Sequence, residues 1–134
     1  MQINKEILDT LIAQAKVSPR LRANMDMRDS SDDTSQRMLN AIEPESIIPI
    51  HRHQTSSESV VCIKGSVVEY YHDDEGNITA EYTLTCNPGE NLLQIPTGTW
   101  HSLKSLESGS VIFEVKNGAY VPAEIGRASC RERV

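Results

Sequence analysis

The chain has 134 residues and carries 13 Lys and Arg against 19 Asp and Glu, a net charge of -6. That length makes one domain, able to bury roughly 68% of the surface its unfolded chain exposes, so it needs no disulfide framework. The acidic balance, with one Trp and one Phe, excludes a nucleic-acid binder that works by phosphate neutralisation and base stacking. No run approaches the ~18 apolar residues of a membrane span. Met1 to Glu6 lack the basic-then-apolar layout of a signal peptide, so the expected compartment is the cytoplasm. The expected partners are small molecules or a second copy of the chain, with no nucleic acid and no membrane. Cys62, Cys86 and Cys130 are odd in number and form no CxxC pair, which fits a reducing compartment.

Ile3, Ile7, Leu8, Leu11, Ile12 and Ala15 recur at the spacing of one helical face, with Asn4 as a cap and Val17-Ser18-Pro19 as the stop. This predicts an amphipathic helix within residues 1–18 that lays its apolar stripe on whatever follows. Beyond Pro19 the helical period vanishes. Short apolar runs alternate with turn signals: Ile47 to Ile50, Ser59 to Tyr71, Ile78 to Leu84, Leu92 to Ile95 and Val111 to Val115 read as strands, and Asp73 to Asn77 as a hairpin turn. Many short antiparallel strands around one core predict an all-β sandwich or barrel over residues 19–123.

Residues 124–134, EIGRASCRERV, are basic and lack apolar periodicity. The string reads as the in-frame translation of a sequencing-adapter oligonucleotide, so a non-native tail is expected there and is excluded from functional reasoning. Without it the chain holds 10 Lys and Arg against 17 Asp and Glu.

The stretch His51-Arg52-His53, then Glu58, then Gly65, carries the chemistry. In an extended segment residues i and i+2 share a face, so His51 and His53 can offer imidazoles to one point, and a polar turn lets the chain return with Glu58 from a neighbouring strand. Pro96-Thr97-Gly98-Thr99-Trp100-His101 supplies a fourth candidate where the chain re-enters the sheet. Imidazoles with one carboxylate suit one divalent first-row metal, Fe, Mn, Ni, Co or Zn, and an incomplete shell leaves room for substrate. With each residue type near one in twenty, a chance match to HxHx4Ex6G is roughly one in a hundred thousand per starting position.

Those two elements, HxHx4Ex6G from His51 to Gly65 and PxGxxH from Pro96 to His101, resemble the two motifs of the cupin superfamily. The resemblance implies a double-stranded β-helix, or jelly roll, with a metal held by His51, His53, Glu58 and His101, and Gly65, Gly89, Pro96 and Gly98 at turns. Ser105 stands where the second motif often has Asn, and the Gly89 to Pro96 spacing is one residue longer than the commonest form. Ser18 to Asn24, Ser35 to Asn40 and Gly109 to Gly118, together with the opening helix, are similar to the WbuC-type cupin-fold metalloproteins. This implies a place in bacterial cell-surface polysaccharide, or O-antigen, biosynthesis, and a homodimer.

All five arginines before the tail, Arg20, Arg22, Arg28, Arg37 and Arg52, fall between positions 20 and 52. Arg captures phosphate or carboxylate through two parallel hydrogen bonds, and Arg20, Arg22 and Asn24 would share one strand face. Arg20, Arg22, Asn24 and Arg37 are therefore candidate binding residues for an anionic, sugar-like ligand. The competing expectation is that they pair with Asp26, Asp29, Asp32 and Asp33 on the surface. Cys62 and one of Tyr70 and Tyr71 are expected to face inward, Trp100 to pack on the side opposite His101, and His72 to be solvated. The functional expectation is an isomerase, epimerase or lyase with the metal as Lewis acid acting on a phosphorylated or nucleotide-linked sugar. The alternatives are an Fe(II) dioxygenase-like cupin and a non-enzymatic, metal-dependent ligand-binding module.

Overall fold

The structure, a computed structural model, describes residues 1–127. The helix α1 spans Lys5–Val17, with the Asn4 side chain accepting from the Ile7 N–H at its start and Ser18 closing it, as the cap and stop residues predict. Ten strands follow: β1 (Arg22–Asp26), β2 (Ser35–Ile42), β3 (His51–Arg52), β4 (Glu58–Lys64), β5 (Ser66–His72), β6 (Ile78–Thr85), β7 (Leu92–Ile95), β8 (Trp100–Ser105), β9 (Ser110–Asn117) and β10 (Glu124–Ile125). They form two five-stranded antiparallel sheets, ordered β1-β2-β9-β4-β7 and β10-β3-β8-β5-β6. This is the two-sheet jelly roll expected from the strand rhythm.

Alternation along each strand sorts the side chains. Ile42, Val60, Cys62 and Ile112 from the first sheet meet Val67, Leu84 and Leu103 from the second in one core between the sheets. The opposite face of the first sheet, Leu39, Ala41 and Val111, is covered by Leu11, Ile12 and Ala15 of α1. Burying that stripe is what keeps a 13-residue helix folded, since so short a helix is marginal alone.

Three local expectations are corrected. The run Ser59 to Tyr71 is two strands in different sheets, because Gly65 at φ 72° turns the chain between β4 and β5. A Cβ there would collide with the Ser110 side chain, so the hydrophobic run reads continuously while its backbone does not. Ile47 to Ile50 is irregular, and regular pairing begins only at His51. His72, expected to be solvated, is 5% exposed. Its Nδ1 donates to the Gly76 carbonyl (3.2 Å) and its Nε2 accepts from Ser102 Oγ (2.8 Å), so it locks the Asp73 to Asn77 hairpin onto β8. Beyond the clearest runs, β1, the strand expected to carry Arg22 and Asn24 on one face, and β2 extend the first sheet, and their polar residues dilute the alternation there.

Of the stretch expected to be a non-native tail, Glu124 and Ile125 pair with Arg52 and His51, and residues 128–134 lie outside the described residues.

Candidate metal centre

His51 sits on β3, directly opposite His101 on β8. His53 follows one residue past the end of β3, and its carbonyl accepts from the Gly98 N–H (2.8 Å), which ties the Pro96-Thr97-Gly98 turn to the first histidine pair. The ligand atoms of His51, His53 and His101 lie within 4.8 Å of one another. Glu58 comes from the facing sheet rather than from a strand paired with β3. Its Oε2 is 3.3 Å from His53 Nε2 and 3.5 Å from His101 Nε2. The i, i+2 spacing and the returning turn thus meet at one place, across the core from each other.

The hydrogen bonds behind the rings decide which nitrogen faces the centre. His51 Nδ1 lies 2.9 Å from the Pro49 carbonyl oxygen and His101 Nδ1 2.8 Å from that of Thr99. A carbonyl can only accept, so each Nδ1 carries the proton and each Nε2 presents a lone pair. Burial, with His101 alongside, pushes His51 down to about 4, so it is a neutral ligand at neutral pH. Burial works to raise the Glu58 carboxyl, but a proton shared with the His101 or His53 ring, together with the charge of Lys116, outweighs it and holds the group well below the usual carboxylate range.

Glu58 is 4% exposed and its Oε2 has no hydrogen-bond partner among the described residues. A buried carboxylate oxygen therefore faces an imidazole lone pair with no proton fixed between them. A cation bound there would satisfy both, and carbonyl-anchored histidines are the usual support of metal ligands. His51, His53 and His101 could hold a divalent metal, with Glu58 placed as a further oxygen donor.

Beside this centre lies a cavity of about 160 Å³, lined by Arg22, Asn40, His51, Glu58, His101 and, in the core wall, Glu69, Glu114 and Leu103. Of the four candidate binding residues, only Arg22 lines it. The Arg22 side chain is half-buried and gives Nη1 to the Ile47 carbonyl at 2.8 Å. Arg20 is exposed and precedes β1: Leu21, at φ 55°, breaks the alternation that would have aligned Arg20 with Arg22. Asn24 is exposed, and borders a groove beside α1. Arg37 is turned away from the cavity and bonds to the carbonyls of Ser35 and Met27 and to Asp33. Arg28 pairs with Asp26. For Arg28 and Arg37 the surface-pairing expectation holds, because short acidic loops beside them supply carboxylates within reach.

Cys62 is buried in packing, and Trp100 lies under the Arg52 guanidinium, 4.1 Å from the ring centre, with Nε1 donating to Asp74. Tyr71 is the inward tyrosine. Its hydroxyl donates to the Gln94 carbonyl, and burial pushes it up to about 12, so it braces β7 rather than exchanging protons.

Two cavity carboxyls escaped the sequence reading. Glu69 lies inward on β5 between Val67 and Tyr71, and Glu114 follows Ile112 on the inward side of β9. Each is a Glu on the core-facing parity of its strand, a pattern that acquires meaning only once the facing sheet is known. Burial, then the charges of Glu58 and Glu114, raises the Glu69 carboxyl well above its ordinary range. Burial and Glu58 push Glu114 up to about 8, although Asn40 Nδ2 donates to its Oε2 at 3.0 Å.

The fold is that of solved cupins. The capsular polysaccharide assembling protein CapF from Staphylococcus aureus superposes with a TM-score of 0.68 at 20% identity, over 84% of this chain and 33% of CapF. KdgF from Halomonas sp. gives 0.60 at 12%, over 78% of this chain and 85% of KdgF. Bacillus subtilis oxalate decarboxylase, described with Mn(II) centres, gives 0.59 at 18%, over 78% of this chain and 27% of that one. The chain thus spans about a third of CapF's length. No curated protein matches the sequence. Residues 3–84, which include α1, His51, His53, Glu58 and Glu69, match the family described as "Domain of unknown function (DUF6016)", and the chain belongs to that family.

Proposed function

We propose that this protein is a metal-dependent cupin enzyme that isomerises, epimerises or eliminates on a phosphorylated or nucleotide-linked sugar in the assembly of bacterial cell-surface polysaccharide. The observation that carries this reading is the shared cavity. Two of the three clustered imidazoles, His51 and His101, and the orphaned Glu58 oxygen line it together with the half-buried Arg22.

A divalent metal on His51, His53, His101 and Glu58 would supply Lewis acidity toward a carbonyl or hydroxyl oxygen. The chain's own residues do the rest. Arg22 offers a guanidinium to the ligand's anionic group. Glu114, steadied by Asn40, is the carboxyl that can hold or release a proton beside the bound sugar. The jelly-roll walls keep bulk water from the centre. CapF, named as a capsular polysaccharide assembling protein, supports the setting, as does the resemblance to WbuC-type proteins. We read the working form as a cytoplasmic homodimer.

The test is to incubate zinc-, manganese- and iron-loaded protein with nucleoside-diphosphate hexoses in D2O and follow carbon-bound deuterium by NMR. Metal-dependent incorporation that disappears in the His51→Ala, His53→Ala double variant is the expected result. Saturable binding without exchange would replace the enzyme by a binding module, and oxygen consumption by the iron form would replace the reaction class by oxygenation.

A further inference from the structure

Glu69 is the polar group in the cavity that neither the metal ligands nor Arg22 account for. It is 2% exposed, its Oε2 has no hydrogen-bond partner among the described residues, and it lines the same cavity as His51, Glu58 and His101. Its same-face neighbours along β5 are Val67 and Tyr71, with Leu103 opposite on β8 and Tyr82 opposite on β6, and none of them hydrogen-bonds its Oε2. The other core-wall carboxyl, Glu114, has Asn40. A buried oxygen left unpaired is destabilising, and a ligand in the cavity can remove that cost.

We propose that Glu69 contacts substrate, by hydrogen-bonding a hydroxyl group on an uncharged, hydroxylated part of the small molecule that enters the cavity. The proposal rests on the reading of the cavity as a substrate site. Size and charge choose the ligand chemistry. A cavity of about 160 Å³ is close to the ~150 Å³ that admits benzene, so about six heavy atoms enter and the remainder of a larger ligand lies outside. Glu58 and Glu114 share the space with Glu69, so an anionic group would meet like charge there, and Arg22 is the place for it. A hydroxyl both donates and accepts, and so suits the Glu69 carboxyl whichever form it takes.

The experiment titrates the full chain with glycerol, a neutral triol of six heavy atoms, and separately with inorganic phosphate, by saturation-transfer NMR. Zinc-loaded and zinc-free protein are both used, and zinc content is measured alongside. Glycerol is expected to bind saturably to the wild type. Glu69→Leu should weaken it about tenfold, the loss of one buried hydrogen bond to a carboxyl, while Glu69→Gln, which still offers an oxygen, stays within about threefold. Zinc content should be unchanged in both, and phosphate should not displace glycerol. Should Glu69→Leu fail to fold, Glu69→Ala takes its place with the same expectation. Absent glycerol binding, equal binding by wild type and Glu69→Leu, or displacement by phosphate would overturn the proposal. Loss of zinc binding with glycerol discrimination intact would sink the metal reading and leave Glu69 standing.

Discussion

Glu58 Oε2 and His101 Nε2 stand 3.5 Å apart although their strands belong to opposite sheets. The contact therefore reports the closure of the sandwich as well as the chemistry of the site. Metal binding should accordingly stabilise the fold, since an ion that binds only the closed form adds its binding free energy to folding. At a free zinc concentration 100 times the dissociation constant, the gain should be about 2.7 kcal/mol, measured as a rise in Tm that His101→Ala abolishes.

Without metal, stability should fall as pH rises. The Glu114 carboxyl is pushed up to about 8 and Glu69 is raised well above its ordinary value. The folded state therefore holds protons that the unfolded chain releases near pH 4.5, and the stability tied to those protons is lost as pH climbs through about 8. His51, pushed down to about 4, acts in the opposite sense and removes stability as pH drops below about 6.5. Metal-free protein should be more stable at pH 6.5 than at pH 8.5, by about 1 kcal/mol or more. Denaturant titration of the wild type and Glu114→Gln checks this, the variant showing the shallower dependence.

Gly65 should tolerate no side chain. Its φ of 72° costs an L-residue roughly 1–2 kcal/mol, and an added Cβ would stand 2.8 Å from the Ser110 backbone. Gly98, at φ 78°, has open space around it, so only the backbone term applies. Gly65→Ala should lose about 3 kcal/mol or more and Gly98→Ala about 1 kcal/mol, compared by urea unfolding.

A chain ending at Ala123 should keep the fold and the centre. Residues 124–127 contribute a two-residue strand and the partly exposed Arg52–Glu124 pair, and an exposed pair is worth about 0–1 kcal/mol. Calorimetry of the shortened chain should show a change of that size and unaltered metal content.

The fold and the centre were legible in the sequence to different depths. The His51, His53 and His101 motifs survive because ligand spacing is local, and α1 because its stripe and caps are local too. Arg20, Arg22, Asn24 and Arg37 were grouped by composition, but which of them reaches the cavity depends on the left-handed Leu21 and on acids supplied by neighbouring loops. Glu69 and Glu114 went unseen because a carboxyl inside an apolar strand acquires meaning only when the facing sheet is known. Gly65 hid a change of sheet inside a run that pattern alone reads as one strand.

The central claim is that His51, His53, His101 and Glu58 bind one divalent metal. Elemental mass spectrometry on protein purified without a His tag or chelator, beside the His51→Ala, His53→Ala double variant, tests it most directly. The account predicts about one equivalent of iron, manganese, nickel, cobalt or zinc per chain, absent from the variant. A folded wild type that takes up no metal on reconstitution, or a variant that retains it, would contradict the account.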